Sequence, residues 1–155
     1  QLKAQTAALC EQVIKLAKTP NQRAQADEAI RQLLEAASTR PPGAERGEAY
    51  LESGLAKYQM RDFEAARYCL RMSFPQYLAP SYPYAVAHWM LGNIEWQDGQ
   101  KAPAFTYWQR SIEIMNELVY KAETGKTEKI RKRQAAFLKE KRDLMRRVVS
   151  HMAAN

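Results

Sequence analysis

"RGEAYLESGLAKYQMRDFEAARYCLRMS" at residues 46–73 and "YAVAHWMLGNIEWQDGQKAPAFTYWQRS" at residues 84–111 are two versions of one pattern. With Gly54 set against Gly92, Tyr50 meets His88, Tyr58 meets Trp96, Ala66 meets Ala104, Leu70 meets Trp108 and Ser73 meets Ser111, always 38 residues apart. Each half reads as a helix, a tight polar turn (Arg61-Asp62 and then Gly99-Gln100) and a second helix. A fixed period of this size is the mark of stacked helical hairpins, because one hairpin cannot bury its apolar face alone.

Working outward, the first forty residues look like a worn copy of the same unit. Leu2, Leu9, Val13, Leu16 and Ala17 recur at helical spacing before Thr19-Pro20-Asn21 interrupts them. A second helix is expected from about Gln22 to Ala37, with Ala26, Ala29, Ile30, Leu33, Leu34 and Ala37 on one side. Two columns of small residues keep the period: Ala17, Gly54 and Gly92, and Ala29, Ala66 and Ala104, each spaced by 37 and then 38. Small residues at fixed register let two helices approach closely where they cross. "STRPPG" at residues 38–43 separates this degenerate hairpin (1–40) from the two clear repeats (44–79 and 82–120), since Pro41 and Pro42 cannot continue a helix. Between the repeats, Tyr77, Tyr82 and Tyr84 alternate with prolines and are expected to pack over hairpin edges.

A long amphipathic helix is expected over 126–153, with Ile130, Phe137, Leu138, Leu144, Met145, Val148, Val149 and Met152 as its apolar stripe. From Lys126 onward there are ten Lys or Arg and three acids. The whole chain is +7 at neutral pH, so its entire positive excess lies on this helix. Such a helix is the cap that an array of hairpins needs to stay soluble. Its cations (Lys129, Arg131, Lys132, Arg133, Arg142, Arg146) also make a basic surface that could attract phosphates without reading sequence. Phe137 is the only aromatic there, which argues against base stacking.

At 155 residues, 46% hydrophobic and 26% charged, the chain is expected to form one globular domain over 1–155, and wholesale disorder is excluded. No apolar run approaches the roughly 20 residues of a membrane span, and no secretory leader is legible at the start. Because the first residue is Gln1, a processed protein or a piece of a longer one is expected. Cys10 and Cys69 have no neighbouring Cys or His at metal spacing and are read as structural thiols, which points to a reducing, cytoplasmic setting.

No enzyme is legible. His88 and His151 are the only histidines, and neither belongs to a known catalytic or metal-binding spacing. "TGKT" at residues 124–127 fails as a phosphate loop, because Tyr120 stands where the leading glycine would be and a helix precedes it. Glu113 and Glu117 have the spacing of a solvated helix surface. Neither a cofactor nor a metal is called for.

The repeats resemble the tetratricopeptide repeat (TPR) family. The resemblance rests on Leu91, Gly92, Trp96, Ala104 and Trp108, and more loosely on Gly54, Tyr58, Asp62, Phe63, Ala66 and Leu70. Tyr58 and Trp96 fall one place later than the family's aromatic, and the period of 38 exceeds the usual value of about 34. The resemblance implies an all-α, right-handed superhelix of about three hairpins with the long C-terminal helix as cap. It also implies a concave groove lined by Leu51, Leu55, Tyr58 and Gln59 in one repeat and by Trp89, Asn93, Trp96 and Gln97 in the next, with Ile14, Lys18, Asn21 and Gln22 in the degenerate copy. The expected function is that of a scaffold or adaptor holding a peptide or helix of a partner protein in this groove. Nucleic-acid or anionic-surface binding through the basic helix is the alternative, and a secretion-type chaperone the third. The carboxylate clamp of some TPR domains does not fit, since Asn93 matches one clamp position but Leu51 and Leu55 stand where its mates would be.

Overall fold

The computed structural model describes residues 20–77, 80–124 and 128–154, with side chains over 23–77, 80–124 and 133–154. These residues are all-helical. They comprise α1 (Pro20–Ser38), α2 (Ala44–Gln59), α3 (Phe63–Ser73), a single 3-10 turn (Phe74–Gln76), α4 (Tyr82–Gln97), α5 (Lys101–Thr124) and α6 (Glu128–Ala154). The chain divides into two compact units, one ending at Leu78 and the other beginning at Ala79. The expected first helix, with Cys10, Ile14, Ala17 and Lys18, lies outside the described residues, as do the side chains of Asn21 and Gln22.

In the first unit α2 and α3 form a hairpin, and α1 packs on α2. Ala26 and Ile30 meet Ala56 and Met60, while Leu33 and Ala37 meet Ala49. The spacing of Ala26, Ile30, Leu33 and Ala37 is the i, i+4, i+7, i+11 stripe of an amphipathic helix. Lys57, nearly buried, pairs with Asp27 of α1 and lies 3.8 Å from Asp62. Asp62 also caps α3 by accepting the Ala65 N–H, so one carboxylate serves both the helix start and the ion pair. Tyr77 lies over Gly47, whose missing side chain makes the room: a Cβ there would fall 2.8 Å from the ring. Burial, helped by Glu48 and Glu52, holds the Tyr77 phenol well above the usual range. Cys69 is buried as expected, and burial raises its thiol to about 11, so it is protonated filler in the hairpin core.

In the second unit α4 and α5 form the corresponding hairpin, and α6 packs along α5. The two hairpins share their turn atom for atom. Met60 and Asp98 close the first helices through bonds to the carbonyls of Ala56 and Ile94. Arg61 and Gly99 then take the left-handed conformation, at φ 63° and 77°. Asp62 and Gln100 reach back to the carbonyls of Lys57 and Glu95 at 2.9 and 2.8 Å. This is the glycine-type helix stop that satisfies the last carbonyls, and glycine supplies it only in the second copy.

The crossings repeat as well. A Cβ on Gly54 would stand 2.8 Å from Leu70, and one on Gly92 would stand 2.3 Å from Trp108. Ala66 and Ala104 are both wholly buried beside these crossings. The aligned small residues are therefore small because the second helix of each hairpin occupies the volume a side chain would need. Ser73 and Ser111 are buried too, and they resolve their hydroxyls differently. Ser73 donates to the Leu70 carbonyl in its own helix, while Ser111 donates to the Ala85 carbonyl across the hairpin at 2.7 Å.

The packed face of α6 differs from the stripe read in its sequence. Ala135, Met145 and Val149 are buried, with Leu138 and Met152 partly so, whereas Phe137 and Leu144 are 45% and 47% exposed. At 100° per residue Phe137 and Leu144 lie on the flank of the buried stripe, and a narrow contact with one hairpin covers only the stripe. Ile130 lies outside the described side chains.

Candidate partner-binding surface

The aromatic residues of the second hairpin are built around Trp108. Its indole is 1% exposed and donates through Nε1 to Asn93 Oδ1 at 3.1 Å. Trp89 and Trp96 lie on either side, each with its ring centre 5.6 Å from that of Trp108 and tilted by 36° and 33°. Phe105 closes the group edge-on, 5.4 Å from Trp108 and 5.8 Å from Trp96. Residues 89, 93 and 96 are one helical face, at i, i+4 and i+7, so α4 presents two indoles with an amide between them. The amide oxygen is spent on Trp108. Gln97 is exposed at the end of this face, and the Lys101 ammonium stands 5.5 Å over the Trp96 ring.

Both outer indoles are half-buried. They belong to the same apolar cluster as Met145, Val149 and Met152 of α6. Their ring contacts are to Trp108 and Phe105 within the hairpin, and half burial leaves part of each indole open. Trp and Tyr in that condition offer large apolar area at low entropic cost and are the residue types that anchor interfaces.

On α2 the expected groove residues separate. Leu51 is 5% exposed and belongs to the core, a correction to its expected place on an open face. Position 51 lies within the densely packed run 49–51, where burial outweighs the register that the resemblance implies. Leu55 and Tyr58 are half-buried, and Tyr58 packs edge-on against Phe63 at 5.4 Å. Gln59 is exposed.

The basic surface also separates. The side chains of Lys129, Arg131 and Lys132 lie outside the described residues. Arg142 and Arg146 converge on Asn116 Oδ1 of α5 at 3.5 and 2.9 Å, and both approach Asp143. These two guanidiniums hold α6 against α5. Lys139 pairs with Glu123 at 2.7 Å. Arg133 is exposed and has no ion pair among the described residues.

His88 is buried at 6% exposure, with Nδ1 2.9 Å from the Tyr84 carbonyl oxygen and its ring edge-on to Tyr84. Burial lowers its pKa, with Arg110 adding to that and the bond to the Tyr84 carbonyl opposing it. It is a packed histidine in the column of Tyr50. Among the described residues no His, Cys, Asp and Glu gather in a group that could hold a metal ion, and no helix is long and apolar enough to cross a membrane. Sequence reading had missed the tie between Asn93 and Trp108. The signal was available, since an amide one residue past the crossing glycine is within reach of the indole that fills the crossing. No family model matches the chain, and no curated protein or solved structure matches it at a significant level.

Proposed function

We propose that this protein is a protein–protein interaction module of the TPR-like kind, a right-handed superhelix of helical hairpins that serves as a scaffold or adaptor. The observation that carries the reading is the repeated hairpin, with the same left-handed turn at Arg61 and Gly99 and the same occupied crossing at Gly54 and Gly92. Repeats of this construction present aligned helix faces to a partner, and their stability does not depend on any one surface residue. The partner site we assign to the open edge formed by Trp89, Asn93, Trp96 and Gln97 in the second unit; in the first unit, taken by itself, Leu55 and Tyr58 hold the corresponding positions. An extended segment or an amphipathic helix suits a face of large apolar rings with polar edges.

The test compares the wild-type chain with Trp89→Ala and Trp96→Ala in capture from a lysate of the source organism, with folding stability measured on the same samples. A partner site predicts specific captured proteins that are lost with either variant, at a stability cost below the roughly 3–5 kcal/mol of a fully buried tryptophan. Identical capture by all three proteins refutes the assignment. Binding of nucleic acid through α6 is the weaker reading, because Arg142 and Arg146 are engaged by Asn116 and Asp143. A generic duplex whose affinity falls steeply with salt would support it. A secretion-type chaperone would use the same indole edge for an extended segment.

A further inference from the structure

The second unit carries another recess, beyond the indole face. Tyr82 at the start of α4, Leu118 near the end of α5, and Arg133, Gln134, Phe137 and Leu138 of α6 line an open groove of about 410 Å³. Its floor and walls are apolar, and Phe137 stands edge-on to Tyr82 at 5.4 Å. That volume lies in the range of about 300–1,000 Å³ typical of ligand-receiving clefts. From the groove an apolar strip runs on along α6, because residues 133, 137, 144 and 148 fall on one side of the helix. Phe137 and Leu144 are nearly half exposed there, and Val148 is partly so. From 137 to 148 this strip is about 17 Å long, or three helical turns.

The charges around it are one-sided. Arg133 at the groove's rim and Arg147 beside Leu144 are exposed, and Lys141 stands 5.5 Å over the Phe137 ring. None of the three has a carboxylate partner among the described residues, unlike Lys139, Arg142 and Arg146. Of the described acids of α6, Glu140 is the one that helical register places on this side. An apolar recess bordered by unpaired cations is complementary to a ligand that joins an apolar anchor to carboxylates. We infer that this strip of α6 is a docking groove for an acidic amphipathic helix of a partner protein, with a bulky apolar side chain seated between Tyr82, Leu118 and Phe137 and a carboxylate on Arg133. A recess favours a protein side chain over a membrane, since a bilayer surface is met by a protruding apolar ridge.

The test uses the full chain and a displayed library of 16-residue helices with one Leu/Phe face and polar positions varied among Glu, Gln and Lys. The expected result is enrichment of Glu-rich helices. Their binding should fall at least tenfold, about 1.4 kcal/mol, with Arg133→Glu and with Phe137→Ser, and should be unchanged by Trp96→Ala. Arg133→Glu alters an exposed side chain, so it keeps the test open if Phe137→Ser loosens α6. The inference is overturned by no enrichment, by enrichment of Lys-rich helices, or by binding indifferent to both variants. Tighter association with phosphatidylserine vesicles than with any selected helix, through the same residues, also overturns it. Loss of binding with Trp96→Ala alone would place the peptide on the indole face and refute this groove while leaving that face intact.

Discussion

Gly92→Ala should destabilise the second unit although alanine is the better helix former. The added Cβ would stand 2.3 Å from Trp108 Cδ1, 2.4 Å from Nε1 and 2.9 Å from Cγ. Trp108 cannot swing aside: it is 1% exposed, bonded to Asn93, and hemmed in by Trp89, Trp96 and Phe105. Overpacking a site of this kind costs about 1–3 kcal/mol, and a contact well below van der Waals distance belongs at the upper end. The propensity gain from replacing a mid-helix glycine returns up to about 1 kcal/mol. The net expectation is a loss of about 2 kcal/mol, or a urea midpoint lower by about 1 M for an ordinary urea dependence. All three tryptophans, Trp89, Trp96 and Trp108, lie in the second unit, so their fluorescence follows its unfolding alone. The first hairpin supplies the control, with Leu70 in place of Trp108 and nearest approaches of 2.8 and 2.9 Å. Trp108→Leu alone leaves a cavity and is destabilising. Combined with Gly92→Ala it should lose less than the sum of the single changes, because the leucine yields the space that the new methyl occupies. A rise in stability for Gly92→Ala, or strict additivity in the double variant, refutes the crossing argument.

Other expectations follow from the same geometry. Ala66→Leu and Ala104→Leu, at wholly buried positions, should each cost about 1–3 kcal/mol in denaturant titrations followed by circular dichroism. Gly99→Ala should cost about 1–2 kcal/mol, the penalty for a side chain in the left-handed conformation. Arg61→Gly should be neutral or stabilising by up to about 1 kcal/mol, since the strain it relieves is partly offset by chain entropy and by the guanidinium's loss from above Phe63. His88 bears on pH: its folded pKa is depressed, so the folded state binds fewer protons than the unfolded state below about pH 6.5. Its contribution is fully present above that pH and declines as pH falls towards the folded pKa. His88→Tyr, which copies Tyr50, should flatten that part of the decline when urea midpoints at pH 7.5 and pH 5 are compared.

The sequence by itself determined the helices, the turns between them and the residues at the crossings. Those features are local or periodic: Arg61-Asp62 and Gly99-Gln100 fall at the same point of the period between two helical runs, and small residues 38 apart mark the same contact in each copy. Tertiary structure alone decided which sides of the helices stayed open. Leu51 and Leu55 are the same residue type on one helix, yet the first is core and the second half-buried. Phe137 and Leu144 read as core and remain nearly half exposed, because the contact of α6 is narrower than its apolar stripe. Arg142 and Arg146 read as free cations and are held by Asn116, which lies 26 and 30 residues away in the chain. Periodicity records how apolar each side of a helix is, but exposure depends on what arrives from distant sequence to cover it, and no spacing within the helix encodes that.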